Sequence, residues 1–278
     1  MSGRGQVRIP ILWVAGGRCV VRPFCCLVAL LALCALPLRI AGADTREVVQ
    51  LSLGVGLTPA HWGVLLAAGH NDKANYDYAT EDIAERLRRV GVSNVRVLTA
   101  TPEHADRSGA ALTTHDEIRA AFARIAGPQT AACLFFITSH ANRRGIFLAL
   151  DKSQQYLTAR DLDRYVTESC GDRPQVLILS GCYSGAMITT AMTRHPKRIV
   201  LASASPTTVS YGATTTERHL NFERCLIKAY DAGVATWREM FEQALPCVEE
   251  REDWLRVPAS KPEAYIGPAV PNLRIPGR

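Results

Sequence analysis

This sequence predicts an α/β fold in which a mainly parallel central sheet is covered by helices on both faces. Three observations support it. Strand-length apolar runs alternate with segments of helical period through residues 62–202. Each run is apolar at successive positions, as a strand buried on both faces must be, whereas a half-exposed strand would alternate. Stops and caps such as Gly91, Thr114 and Gly127-Pro128 fall between the runs, where such a succession needs them.

Residues 62–68 (WGVLLAA) read as a buried strand, followed by a loop rich in Asn and Asp. Residues 80–90 read as a helix with Ile83, Ala84, Leu87 and Val90 on one apolar face and Gly91 as its stop. Residues 94–98 are a second strand, and a polar loop carrying Pro102 and Gly109 follows. Thr114 caps a helix that buries Ile118, Ala121, Phe122 and Ile125. Residues 131–138 (AACLFFIT) are the third long strand, 146–150 a short one, and Thr158 opens the next helix. The fourth long strand is 176–179, followed by a helix over 186–192 and a fifth strand over 199–202. Residues 220–254 are helical in period, and from Val257 onward five prolines mark an extended tail, on the surface or loose. The expected division is a leader over 1–43, one domain over 44–256 and the tail over 257–278.

The net charge of +6 comes from 32 Lys and Arg against 26 Asp and Glu. Arg4, Arg8, Arg18, Arg22 and Arg39 all precede the first acid, Asp44, and without these five the balance is 27 to 26. The body has no basic block interleaved with aromatics, so nucleic acid is excluded as a partner. The early arginines belong to a leader with a basic flank at 18–22, an apolar run over 24–38 and then Ala41-Gly42-Ala43. That is the pattern of a secretory signal peptide cleaved after Ala43. A run of about 15 residues is short for a membrane span, so a membrane is met only through the leader, if it stays uncleaved. The expected location is the periplasm or outside the cell. Cys133, Cys170, Cys182, Cys225 and Cys247 remain after the leader, an odd number that leaves at least one free thiol. Cys133, in an apolar run, reads as a small buried hydrophobe. Cys225 and Cys247 flank a helical region and are candidates for pairing in an oxidising compartment.

Parallel α/β sheets place ligands beyond the carboxyl ends of their strands, and three of those ends are unusual. The first leads into His70-Asn71-Asp72-Lys73-Ala74-Asn75-Tyr76, the third into His140 and the fourth into Cys182. If the third and fourth strands are neighbours, a spacing of about 4.8 Å brings His140 and Cys182 to one rim. A helix starting after Cys182 would favour its thiolate. His140 would take the thiol proton and return it to a leaving amine, and backbone N–H groups would receive the oxyanion. The residues therefore predict a cysteine–histidine acyl-transfer site. Taken singly, such a Cys is a buried small residue and such a His a surface group, so the joint position carries the argument. An elbow hydrolase needs glycine two residues before and after its nucleophile, where this chain has Ser180 and Ser184. His61, His70, His104 and His115 are scattered without metal-ligand spacing, so no metal is expected. No Walker loop or dinucleotide fingerprint occurs, so no cofactor is expected either. A binding module without turnover is the non-enzymatic alternative. Oligomeric state has no signature in these residues.

HWGVLLAAG, Asn75-Tyr76, RRVGV before NVRVLTA, LFFITSHANRRGIFLAL, LTARDLDRYV, QVLILSGCYSGAM and RIVLASASPTTVSYG follow one another over residues 61–212. In this order they resemble the legumain family of cysteine peptidases, which includes the catalytic subunit of the glycosylphosphatidylinositol transamidase. The resemblance implies a caspase-like three-layer α/β/α fold and an endopeptidase acting on a peptide or protein, or a transamidase using the same acyl-enzyme. It makes Cys182 the nucleophile, His140 the acid/base and Asn75 the asparagine associated with the histidine. It makes the N–H groups of Cys182 and Ala141 the oxyanion donors, and makes Ser180, Ser203 and Ser205, with Asp77, candidates for binding the substrate. Three positions depart from the family. Ala141 replaces the glycine after the histidine, and Ser180-Gly181 replaces an acidic residue and alanine before the cysteine. Asp77 stands where legumain places an arginine that holds an asparagine side chain, so asparaginyl specificity does not transfer and a preference for Lys or Arg is expected instead.

Overall fold

In the computed structural model, which describes residues 57–212 and 217–278, the chain opens with β1 (Trp62–Ala68), α1 (Asn75–Arg89), β2 (Asn94–Thr99), α2 (Pro102–Ser108), β3 (Ala111–Leu112) and α3 (His115–Ile125). It continues with β4 (Ala132–Thr138), β5 (Ala141–Asn142), β6 (Gly145–Phe147), β7 (Tyr156–Leu157), α4 (Ala159–Cys170) and β8 (Gln175–Ser180). Then come α5 (Thr190–Thr193), β9 (Arg198–Ala202), α6 (Asn221–Asp231), α7 (Trp237–Leu255) and β10 (Glu263–Ile266). The expected leader over 1–43 lies outside the described residues. Among the described residues no helix is long and apolar enough to cross a membrane.

The central sheet has the order β10-β9-β8-β4-β1-β2-β3, parallel except for β10. Because side chains alternate across a strand, its two faces form two cores. Val64, Leu66, Leu134 and Phe136 pack against Leu87 of α1, Phe222 of α6 and Trp237 and Phe241 of α7. Leu65, Phe135, Ile137 and Leu177 pack against Ile118 and Phe122 of α3 and Leu162 and Val166 of α4. This is the three-layer α/β/α sandwich that the resemblance implies. A small antiparallel sheet, β5-β6-β7, stands beyond the end of β4.

Several elements differ from the sequence reading. α1 starts at Asn75, five residues before the start expected at residue 80. The polar loop after β2 contains α2, with Pro102 at its start and Gly109 at φ 70° ending it in the left-handed region that glycine tolerates. The helix expected over 186–192 is a 3-10 turn, Ser184–Met187, followed by the four-residue α5. Gly185 N–H bonds Ala204 O at 2.8 Å and Thr189 starts a new cap on Met192 N–H, and together they divide the segment. The segment 257–278 is neither loose nor a surface tail. β10 extends the sheet beside β9, and Val270, Leu273 and Ile275 are buried in the core. Pro262 and Pro268 flank the strand rather than interrupt it.

Cys225 and Cys247 form a disulfide between α6 and α7. Cys133 is buried but, contrary to the reading of it as a lone hydrophobe, it pairs with Cys170 and ties β4 to α4. An apolar run in a strand does not reveal that a helix on the facing layer presents a second sulfur. Among the described residues Cys182 is the free thiol.

Candidate active site

β4 and β8 are parallel neighbours with Thr138 opposite Ser180, so His140 and Cys182 each lie two residues past one register pair. Ser139 N–H donates to Ser180 O at 3.1 Å and carries the contact past the strand ends. Gly181 runs so close to this loop that a Cβ on it would lie 2.8 Å from both Ser139 O and Ala141 Cβ. Two of the departures from the family thus offset each other, because the methyl that Ala141 adds occupies room that Gly181 leaves.

His140 Nε2 lies 2.8 Å from Asp72 Oδ2, and the other carboxylate oxygen of Asp72 lies 2.8 Å from His70 Nδ1. The two imidazoles meet edge to face at 4.9 Å between centroids, with Tyr76 5.9 Å from the His140 ring and Phe147 5.5 Å from the His70 ring. Burial would raise the Asp72 carboxyl pKa, but hydrogen bonds and charge from His140 and His70 hold it below the ordinary carboxylate range. Burial pushes the Tyr76 phenol up, reinforced by the charges of Asp72, Glu223 and Cys182, so it stays a neutral wall between the two loops. His70 and Asp72 stand just past the end of β1, which pairs with β4. Sequence reasoning saw this strand end but assigned neither residue a role. The signal was there in the shared rim, since any residue just past β1 faces one just past β4. The ligand-capable atoms of His70, Asp72 and His140 all lie within 4.8 Å of one another.

Cys182 Sγ donates to Ser210 O at 3.5 Å rather than to His140. Tyr183 follows in the left-handed region (φ 58°, ψ 17°) and its N–H bonds Thr208 O at 2.9 Å, which turns the backbone sharply at the sulfur. Among the described residues no acceptor takes the Cys182 N–H. Phe147 N–H donates to His140 O, so by the alternation of an antiparallel ladder the Ala141 N–H points away from β6. The turn after Cys182 is too short to act as a helix start, so the expected dipole effect on the thiol has no basis.

Other expected site residues take different parts. The Asn75 side chain donates to the backbone oxygen of Glu217, so it anchors that segment, and Asp72 takes its expected place beside His140. Asp77 is buried, and its carboxylate accepts from the Thr99 and Thr101 hydroxyls, both at 2.6 Å. It ties α1 to the end of β2 and is not offered to a ligand, so the expected selection of Lys or Arg by Asp77 has no support. Ser180 is buried beside Glu223, whose carboxyl accepts from Thr138 Oγ1 at 2.5 Å and is pushed up in pKa by complete burial. Ser203 is buried as well: its hydroxyl receives the Gly181 N–H at 2.9 Å and lies 3.1 Å from Gly181 O, which braces the turn before the sulfur. Ser205 bonds Thr207 and Thr208 within its own turn. These serines shape the loops from beneath because strand-end hydroxyls satisfy buried backbone there.

Residues 124–244 match the Peptidase C13 family, a span that includes His140, Cys182 and the strands that carry them. No curated protein matches the chain. Among solved structures, the crystal structure of Caspase-1 from Spodoptera frugiperda is similar with a TM-score of 0.54. The match covers 74% of this chain and 86% of that one at 13% identity, a likeness of fold.

Proposed function

We propose, from the premise that this chain is of the legumain type, a caspase-fold family of cysteine peptidases, that it is an exported endopeptidase with Cys182 as nucleophile and His140 as acid/base. The observation that carries this reading is the common level of His140 and Cys182 at the ends of adjacent parallel strands. Asp72 accepts from the Nε2–H of His140, which leaves the lone pair on Nδ1 for the thiol proton. The thiol first leaves the Ser210 carbonyl. Sulfur then bonds to the peptide carbonyl carbon, and the carbonyl π pair moves to oxygen, where the N–H groups of Cys182 and Ala141 receive it. Collapse breaks the carbon–nitrogen bond, and the amine leaves with the proton held on Nδ1. Water, giving its proton to Nδ1, cleaves the thioester, and an amine in its place would give transamidation. Asn75, Ser180, Ser203 and Ser205 serve the site by holding its loops. The leader and the two disulfides support an oxidising compartment outside the cytoplasm.

The resting contact of Sγ with Ser210 O favours a second reading, a scaffold without turnover. An electrophilic peptide probe on the exported protein, read by mass spectrometry, separates the two. A peptidase labels at Cys182, loses that labelling in His140→Ala, and starts at Asp44. Labelling of Cys182 that is no faster than that of a free small thiol, or that is unaffected by His140→Ala, would leave only the scaffold.

A further inference from the structure

We infer that His70, Asp72 and His140 form a site for a single zinc-class divalent cation, and that the ion switches the peptidase off. The site stands on its own geometry, and the switching rests on the function proposed above. The two oxygens of Asp72 each face an imidazole nitrogen at 2.8 Å, His70 Nδ1 on one side and His140 Nε2 on the other. Two nitrogens and a carboxylate oxygen are the donor set of an open zinc centre, with water as the fourth ligand. Zinc bonds to such atoms at about 2.0–2.1 Å. Because the three ligand atoms already lie within 4.8 Å of one another, side-chain rotation alone closes the set.

Two further features mark the site as built. The Asp72 backbone N–H donates to His70 Nδ1 at 3.1 Å, so that nitrogen presents its lone pair on the side of Asp72, and a cation would take the lone pair over from the N–H. The His70 ring is held between Phe147 and Tyr76, with centroids at 5.5 and 6.5 Å, and this fixes the orientation as outer partners of metal ligands do. Asp72 and His140 are open to solvent, with side-chain exposures of 41% and 48%, so an ion has a path in.

The consequence for catalysis follows from the tautomer. A cation on His140 Nε2 displaces the proton that Asp72 accepts there, and the neutral ring then carries its proton on Nδ1. A protonated Nδ1 has no lone pair for the Cys182 thiol. Asp72 is withdrawn from His140 in the same event. Metal binding and general-base function are therefore mutually exclusive at one ring.

The test titrates Zn2+ into chelator-stripped full-length Cys182→Ser protein by calorimetry, so that neither turnover nor the sulfur contributes. One equivalent should bind, and His70→Ala and His70→Gln, both checked for a native melting transition, should each weaken it about tenfold or more. In the unsubstituted protein Zn2+ should abolish probe labelling and peptide cleavage, EDTA should restore them, and His70→Gln should raise the inhibitory concentration by the same factor. Failure of Cys182→Ser to bind Zn2+, or binding equally tight in both His70 variants, would overturn the site. Activation by Zn2+ would overturn the switch. If no peptide is ever cleaved, the calorimetric arm still decides the site, so the two readings fail separately.

Discussion

A carboxylate 2.8 Å from one imidazole nitrogen selects the tautomer and stabilises the cation formed when the other nitrogen takes a proton. In the proposed mechanism Asp72 would do both, from a position outside the aligned motifs. Asp72→Asn keeps the shape and removes the charge, so kcat should fall roughly tenfold or more with KM little changed, and Asp72→Glu should recover part of the loss. A residue that merely supported the loop would move KM and stability together, so steady-state kinetics beside thermal melting distinguishes the two. The opposite loop is limited by space. Gly181→Ala would place its methyl 2.8 Å from Ser139 O and Ala141 Cβ, and should cost about 1–3 kcal/mol in denaturant unfolding. Ala141→Gly in the same chain removes one of the two clashes and should return part of that loss.

At the scale of elements, contacts distant in sequence hold the layers on the sheet. The Asp151 carboxylate receives the N–H of His115 at 2.9 Å, at the first turn of α3, together with Ser153 Oγ at 2.7 Å and Gln154 N–H at 3.0 Å. Burial would raise its pKa, but these bonds outweigh that and lower it from 3.8 to about 2. A carboxyl lowered on folding contributes stability that is present above its unfolded value and lost as pH falls through the folded one. This contribution, up to about 2 kcal/mol, should fade between about pH 4 and pH 2. Asp151→Asn should melt earlier at neutral pH and show a flatter dependence across that window. Cys133 and Cys170, 37 residues apart, fasten α4 to β4. Replacing both with alanine should cost about 4 kcal/mol by the loop-closure argument, measured by denaturation without reductant.

For the whole molecule, the sheet needs the last residues of the chain. Ending it at residue 256 removes β10, exposes the edge of β9 and takes Val270, Leu273 and Ile275 out of the core. Each fully buried side chain of this kind contributes about 1.5–3 kcal/mol, so the shortened protein should be insoluble or unfolded by circular dichroism. The same scale explains what was legible. Strands β1, β4 and β8 were readable because burial on both faces imposes an unbroken apolar run. β10 was not, because an edge strand of two exposed and two half-buried residues between prolines carries no such signal. The common level of His140 and Cys182 was legible because a two-residue step past paired strands needs only the adjacency of β4 and β8. The partners of Asp77 were not legible because a carboxylate inside α1 looks the same in sequence whether it faces a ligand or the threonines at the end of β2.

By itself the sequence determined the alternation of strands and helices, the caps, and the two strand ends from which a thiol and an imidazole emerge, since local periodicity and turn chemistry encode all of these. Only the tertiary structure decided which groups meet them. Asp72 reaches His140 across 68 residues because β1 lies against β4, and the lateral order of strands arises from the packing of the whole sheet, which no local pattern contains.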